Sequence, residues 1–461
     1  MRKHICLFIV IFHTLLIGIH AQPRMLTSSI TRSGQTFSTP NTIYKIQCYY
    51  DLKGKTIKIP NNCVLSFDGG CFYNGNIDFN NASIEAGLYQ IFYNVGNAGR
   101  ELKANVIEAA WFGAKGDNKS DDSGAIQKAI EFAHNNYEVG NPWDINRDSH
   151  CVTVHLHSGN FLLNTSLSIP SFIVLKGEGI GNTKLINNAK GEFLIYIGTR
   201  ENAVYNVMVS DFTLFGQAKD NNAIFMHAVY SSLENLYIGN FKGSGVYAWQ
   251  AYSSSISDCR FIYLGHNDKT AAMCFSGAKS GMGANDFRIF KCIIQGYTDT
   301  DRKPGGVGID AQIGNGISVS VCSFQNLESG IVCGVLAQSL KIESSYFELL
   351  SSAVSGVLWG TVFSKNFITG VTNGVICTNS LRGCSITSNE ISGSAANKLI
   401  VPYGKVDMMQ ENYIAGNWTS GYETTIDKSL ITNFFNENST NFMTTNYGHS
   451  YGVAKRYLEK K

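Results

Sequence analysis

Proline is scarce in this 461-residue chain, with seven residues against 46 glycines. That excludes a proline-rich extended or collagen-like polymer. Charge is sparse too: Asp, Glu, Lys and Arg make up 16% of residues, while 44% are hydrophobic. A disordered chain has the opposite balance. Removing Arg2 and Lys3 from the 37 basic residues leaves 35, against 35 acidic ones. A net charge near zero argues against a general nucleic-acid or membrane-surface binder. It leaves room for a local basic site facing an acidic glycan.

Paired cysteines are missing as well. Of twelve cysteines, Cys6 lies in the N-terminal apolar run, and the other eleven contain no C-x-x-C pair. An odd number without such pairs fits neither a disulfide framework nor a zinc site. Long apolar runs are absent apart from Ile5 to Ile19, which His13, Thr14 and Gly18 interrupt. It is too short for a membrane span. Basic Arg2 and Lys3 before it, and Ala21 ahead of Gln22, form the pattern of a cleavable secretory signal. A secreted or periplasmic location is therefore expected, with 1–21 as the signal and 22–42 as a polar, mobile leader.

What the chain does contain is repetition. From 43 to 100, short alternating runs such as Thr56-Ile57-Lys58-Ile59 are separated by Asn and Gly turns, the mark of strands. This segment is expected to cap a larger β structure. From 101 to 425 a second pattern recurs. Strands end Asp211-Phe212-Thr213, Leu236-Tyr237-Ile238, Cys259-Arg260-Phe261, Cys292-Ile293-Ile294, Cys322-Ser323-Phe324, Ser345-Tyr346-Phe347, Asn366-Phe367-Ile368, Asn389-Glu390-Ile391 and Asn412-Tyr413-Ile414. The spacings are 25, 23, 33, 30, 23, 21, 23 and 23 residues. Such a period predicts a solenoid whose like residues stack in ladders. Cys259, Cys292 and Cys322 would share one interior row with Ser345, Asn366, Asn389 and Asn412. Residues 426–461 lose the pattern and are expected to cap the far end and trail off.

The repeat begins after Trp111-Phe112-Gly113-Ala114-Lys115-Gly116-Asp117, Asp121-Asp122-Ser123 and a helix striped by Ile126, Ala129, Ile130 and Ala133. The Phe-Gly-Ala-x-Gly-Asp turn, the Asp pair and the Ala/Ile helix resemble the opening of pectate-lyase-superfamily β-helix proteins, an opening also found in phage tailspikes and polygalacturonases. The expected fold is thus all-β: a single-stranded right-handed parallel β-helix with an N-terminal β cap and a short capping α-helix. Asp117, Asp121 and Asp122 are expected to brace turns. His155 and His157 alternate with apolar residues; a surface pair is expected there rather than a metal pair.

The first strand of each coil sorts into rows by alternation. Ile224, Val246, Met273, Ile309, Ile331 and Val375 point inward, as do Met226, Ala248, Phe275, Ala311, Cys333 and Cys377. One outward row then holds Phe225, Tyr247, Cys274, Asp310, Val332 and Ile376. The other holds His227, Trp249, Ser276, Gln312, Gly334 and Thr378. His227, Tyr247, Trp249, Asp310 and Gln312 gather where the two long spacings add residues, while farther rows turn small or apolar. Trp249 beside Tyr247 suits a sugar ring. The inserted stretches bring His266, Asp268, Lys269, Asp299, Asp301, Arg302 and Lys303.

The resemblance implies a polysaccharide-degrading enzyme acting on an acidic, uronate-containing polymer. For β-elimination, His227 or Tyr247 would move the proton, and Arg302, Lys303 or Lys269 would hold the carboxylate. His266, Trp249 and Gln312 would bind substrate. For hydrolysis, Asp310 would pair with Asp268, Asp299 or Asp301. A non-catalytic carbohydrate-binding solenoid would need Trp249 alone. Several β-helix lyases use calcium, but no calcium cluster is evident, and no metal or other cofactor is expected. The polygalacturonase motifs Asn-Thr-Asp, Gly-His-Gly and Arg-Ile-Lys are absent from the coils.

Overall fold

A computed structural model describes residues 25–430, except 100, 136–150, 265–269, 279–281, 299–303, 393–397, 421–424 and 428–429, together with two short strands at 442–443 and 447–448. From Val106 onward the chain winds as a right-handed β-helix whose strands form three faces, here called sheets A, B and C. The pairings that stack its coils are parallel, and several carry a register shift, as between Ala311 and Ile313 or Gly356 and Val357.

Each face alternates, as a half-buried strand must. In sheet A the interior ladder runs Ile195, Ile224, Val246, Met273, Ile309, Ile331, Val354, Ile376 and Ile400, every side chain fully buried. Sheet B contributes Leu175, Val209, Leu233, Ile256, Ile289, Val319, Ile342, Phe363 and Ile386. Sheet C contributes Phe261, Ile294, Phe324, Phe347 and Ile368. Phe324 and Phe347 stack with ring centres 4.8 Å apart, the rung spacing itself. Burying each such side chain is worth about 1.5–3 kcal/mol, so the core is a sum of similar increments repeated along the axis.

The turns are held by side chains. Cys259, Cys292 and Cys322 form the expected interior row, each thiol bonded to backbone carbonyls. Ser345, Asn366 and Asn389 continue it. Asn417, not Asn412, comes next: the Asn389 N–H donates to Asn417 Oδ1. Asn412 belongs to a different turn, where its Oδ1 accepts from the Cys384 N–H. The two asparagines lead neighbouring strands in the same coil, so the sequence pattern took one for the other. At the opposite end of the row, Phe212 rather than Asp211 pairs with Leu236.

Ahead of the solenoid, residues 25–99 form a smaller stack of parallel strands. Leu26–Ile30, Thr42–Ile46, Val64–Phe67 and Ser83–Glu85 make one face. Tyr49–Asp51, Cys71–Asp78 and Phe92–Asn97 make another. Leu26–Ile30 lies inside the stretch expected to be a leader; its only fully buried residue, Ile30, gives little hydrophobic alternation to detect. Helix α1 (Ser123–His134) sits between this stack and the solenoid. Its Phe132 packs against Phe79, Phe92 and Phe112, while Ile126, Ala129 and Ile130 are fully buried. The end of the solenoid is thereby covered, which protects its backbone from edge pairing.

The aspartates of the opening motif brace turns, as expected. Asp122 accepts the N–H groups of Lys115 and Gly116 at 2.7 and 3.1 Å. Asp117 accepts those of Lys119 and Ser120, which hold its carboxyl below the usual range. His155 is half-buried, with Nδ1 2.8 Å from Glu108. Glu178 is 3.8 Å from its Nε2. At the far end, Phe442–Met443 and Tyr447–Gly448 pair onto the preceding coil, so strands continue into the stretch where the sequence pattern fades. Among the described residues no helix is long and apolar enough to cross a membrane.

Candidate functional site

One outward row of sheet A carries most of the chemistry. Its members pair in the order Tyr196, Phe225, Tyr247, Cys274, Asp310, Val332, Ser355 and Cys377. The sequence rows agree as far as Val332 and then slip by one residue. Cys377, expected inside, follows Ser355 in the outward row, and Ile376, expected outside, is fully buried. Val375 occupies the strand-leading position instead of the inward ladder. The reason is local. Gly308 and Gly330 lead their strands because a Cβ there would lie 2.4 and 2.6 Å from a carbonyl oxygen of the next rung. In the next two coils those places fall to Ala353 and Val375, so the glycine landmark disappears.

Beyond Asp310 the row opens into a cavity of about 320 Å³, at the small end for a ligand site. Asp310, Gln312 and Glu328 line it, with Ser329, Ser352, Ser355, Cys377 and Tyr403. Partial burial pushes the Asp310 carboxyl above the usual range, against an opposing hydrogen bond from Gln312. Glu328 is exposed. Below them lies a buried hydroxyl cluster, in which Ser329 Oγ is 3.2 Å from Ser352 Oγ and 2.9 Å from Ser355 Oγ. Burial holds the Cys377 thiol up at about 11, so it stays protonated at neutral pH. Among the described lining residues there is no basic side chain. In the sequence these coils show only small or apolar outward residues, because serine, cysteine and glycine resemble packing residues.

The other half of the row is aromatic. Phe225 and Tyr247 stack at 6.2 Å and 15°, and Phe193 meets both edge-on or tilted. Over them lies Arg200, its guanidinium carbon 5.7 Å from the Phe225 and Tyr247 ring centres and 5.2 Å from that of Trp249. Arg200 also reaches Glu192 at 3.3 Å. The Trp249 indole N–H is buried without a hydrogen-bond partner among the described residues. Arg200 escaped the sequence reading because its loop lies outside the aligned strands.

The expected site residues therefore divide. Tyr247 and Trp249 stand together under Arg200, and Asp310 and Gln312 stand together at the cavity, two rungs from Tyr247 along the row. His227 departs from expectation: its side chain is only 6% exposed. Its Nδ1 lies 2.6 Å from the Thr199 carbonyl, which fixes the proton on Nδ1, because a carbonyl can only accept. The strand ends at Met226, and His227 lies just beyond it, bonded to the 198–202 loop through Thr199. His266, Asp268, Lys269, Asp299, Asp301, Arg302 and Lys303 lie outside the described residues. Among the described residues no group of three or more His, Cys, Asp or Glu is arranged to hold a metal ion.

Comparison with known proteins adds a lineage to this geometry. Residues 106–332 match the family model described as rhamnogalacturonase A/epimerase, pectate lyase-like. Over 122 residues the chain is 30% identical to the pre-neck appendage protein of Bacillus phage B103, a stretch covering 26% of this chain and 12% of that protein. The chain thus matches only a small part of that relative. A tailspike protein of E. coli bacteriophage HK620 superposes with a TM-score of 0.56 at 11% identity, over 75% of this chain and 64% of that one. The DFA-IIIase of Arthrobacter chlorophenolicus gives 0.52 at 11% identity, over 71% and 87%. At such identities the two structures speak for the fold.

Proposed function

Starting from the match of residues 106–332 to a pectate lyase-like family model, we propose that the protein is a secreted carbohydrate-active enzyme that hydrolyses a glycan at the cavity beside Asp310. The observation that carries this reading is a partly buried carboxyl, held toward its protonated form, sharing a cavity with a second carboxyl, Glu328. Hydrolysis of a glycosidic bond needs that pair. Asp310 gives its proton to the departing sugar oxygen, and the Glu328 carboxylate oxygen draws a proton from water or attacks the anomeric carbon. Gln312 orients Asp310 through its amide. The buried serine hydroxyls supply hydrogen bonds to sugar hydroxyls. The family match supports a carbohydrate-active or carbohydrate-binding protein, and the tailspike was solved with a bound pentasaccharide.

A second reading rests on a separate observation. β-Elimination needs a cation against the uronate carboxylate and a group to move the C5 proton. The cavity offers no described cation, but Arg200 lies directly over the Tyr247 ring. One experiment separates the readings. The protein is incubated with pectic, alginate and glycosaminoglycan polymers, and new reducing ends are followed beside the ultraviolet absorbance of unsaturated uronates. Hydrolysis gives reducing ends without absorbance, and the Asp310→Asn variant stops it. Absorbance that survives Asp310→Asn and vanishes in Tyr247→Phe would replace hydrolysis by elimination.

A further inference from the structure

We infer that Arg200 and Trp249 form a remote specificity subsite, about two sugar units from the cleavage point, that recognises a carboxylate on the glycan. The inference rests on the groove reading above and adds to it a residue, a place and a ligand group.

Three observations lead there. First, the Arg200 guanidinium rests on three aromatic faces at once, and its one ion pair among the described residues, with Glu192, is made at the surface. An exposed pair of this kind contributes little, so an incoming carboxylate that offers a two-pronged match displaces it readily. Second, the Trp249 indole N–H is a buried donor without an acceptor among the described residues. Such a group is costly to leave unpaired, and a ligand oxygen brought in beside Arg200 would satisfy it. Third, the position is fixed by register. Tyr247 pairs with Cys274 and Cys274 with Asp310, which sets Tyr247 two rungs, roughly 10 Å, from the carboxyl. One rung is close to the length of one pyranose unit along a chain. A glycan lying along the solenoid axis therefore places every sugar near a rung, with its reacting bond at Asp310 and an acidic sugar on the aromatic strip.

The arrangement also separates two tasks. A carboxylate at the cavity itself would meet Asp310 and Glu328, two like charges, and no described cation. At the strip it meets a cation on a hydrophobic platform. The subsite thus selects acidic polymers without bringing their charge to the reacting bond.

The test is affinity electrophoresis of the full chain in gels cast with matched polymers: polygalacturonate against its full methyl ester, alginate and hyaluronan each against its carboxyl-reduced form, and dextran sulfate against dextran. The expected result is retardation by at least one carboxylate polymer and not by its neutral partner. Arg200→Gln should weaken that binding by about ten-fold or more, as loss of a charge-assisted contact does. Trp249→Phe, which keeps a ring and removes the N–H, should weaken it several-fold. Circular dichroism melts of both variants check that they fold. Asp310→Asn should bind as the parent does. Equal retardation by the neutral partner, undiminished binding by folded Arg200→Gln, retardation by dextran sulfate alone, or no retardation by any carboxylate polymer would each overturn the inference. Carboxylate binding that depends on Arg200, in a protein that cleaves nothing, would leave the subsite standing and remove the hydrolytic reading. Asp310-dependent cleavage of a neutral polymer would do the reverse.

Discussion

The two halves of one outward row make an instructive pair. From Tyr196 to Tyr247 it is aromatic and crossed by an arginine. From Asp310 to Cys377 it is acidic and floored by hydroxyls. The interior ladder runs through both, and the register shifts of these strands fall in the second half. In a solenoid the interior is fixed by stacking, so neighbouring coils differ chemically only in what they turn outward and in the loops laid over them. Binding and bond cleavage are thus assigned to different rungs of one frame.

The assignment is broken most directly at Asp310. Asp310→Asn should lower kcat by about 10²–10⁴-fold, the usual worth of a proton donor, with KM nearly unchanged in steady-state assays. A similar loss in KM instead would move Asp310 to the binding half. The pH profile sharpens the same point. A donor must carry its proton, so the rate should fall as pH rises through the raised value of Asp310, and the alkaline limb reports that group.

On the aromatic half, Trp249→Ala should raise KM by about three- to ten-fold, the worth of an aromatic stacking contact, while kcat holds. His227→Ala tests how the halves are linked. His227 ties down Thr199, the neighbour of Arg200, so its loss should raise KM a few-fold and cost about 1 kcal/mol in urea titration. Abolished turnover would return His227 to the role of a proton carrier.

The smallest effect concerns stability. The folded-state pKa of Asp310 lies above its unfolded value. Folding therefore favours its proton, and stability declines as pH rises from the ordinary carboxylate range through the raised value. Asp310→Asn should accordingly melt about 2 °C higher at neutral pH and show no gain in acid, where the parent is protonated. Calorimetry at both pH values checks this.

What could be seen in the sequence follows from where alternation and landmarks survive. The inward ladder from Ile224 to Ile331 was visible because each strand alternates apolar and variable residues behind a small leading residue. The ladder was lost at Ala353 and Val375, where the leading residue grows. Asn412 and Asn417 look alike in the sequence because both precede an aromatic-led strand. Asp310, Gln312, Tyr247 and Trp249 could be brought together from register alone, since pairing across rungs preserves order. The cavity could not: Ser329, Ser352 and Ser355 come from coils whose small polar residues resemble turn and packing positions. Nor could Arg200, which reaches the row from a loop that no periodicity describes. His227 shows a further limit, because alternation gives a direction for a regular strand and fails where the strand bends into a turn.

The parallel register from Tyr247 through Cys274 to Asp310 also makes the groove a gauge. Its calibration is the number of coils between the two marks, and not the length of chain that connects them: the 33- and 30-residue repeats advance the stack by one rung each, as the shorter ones do. Loop residues can therefore be gained or lost in that stretch without altering the measured length, whereas adding or deleting one whole coil would reset it by about 4.8 Å. Two outward features of such a solenoid can therefore be moved apart or together only in whole steps.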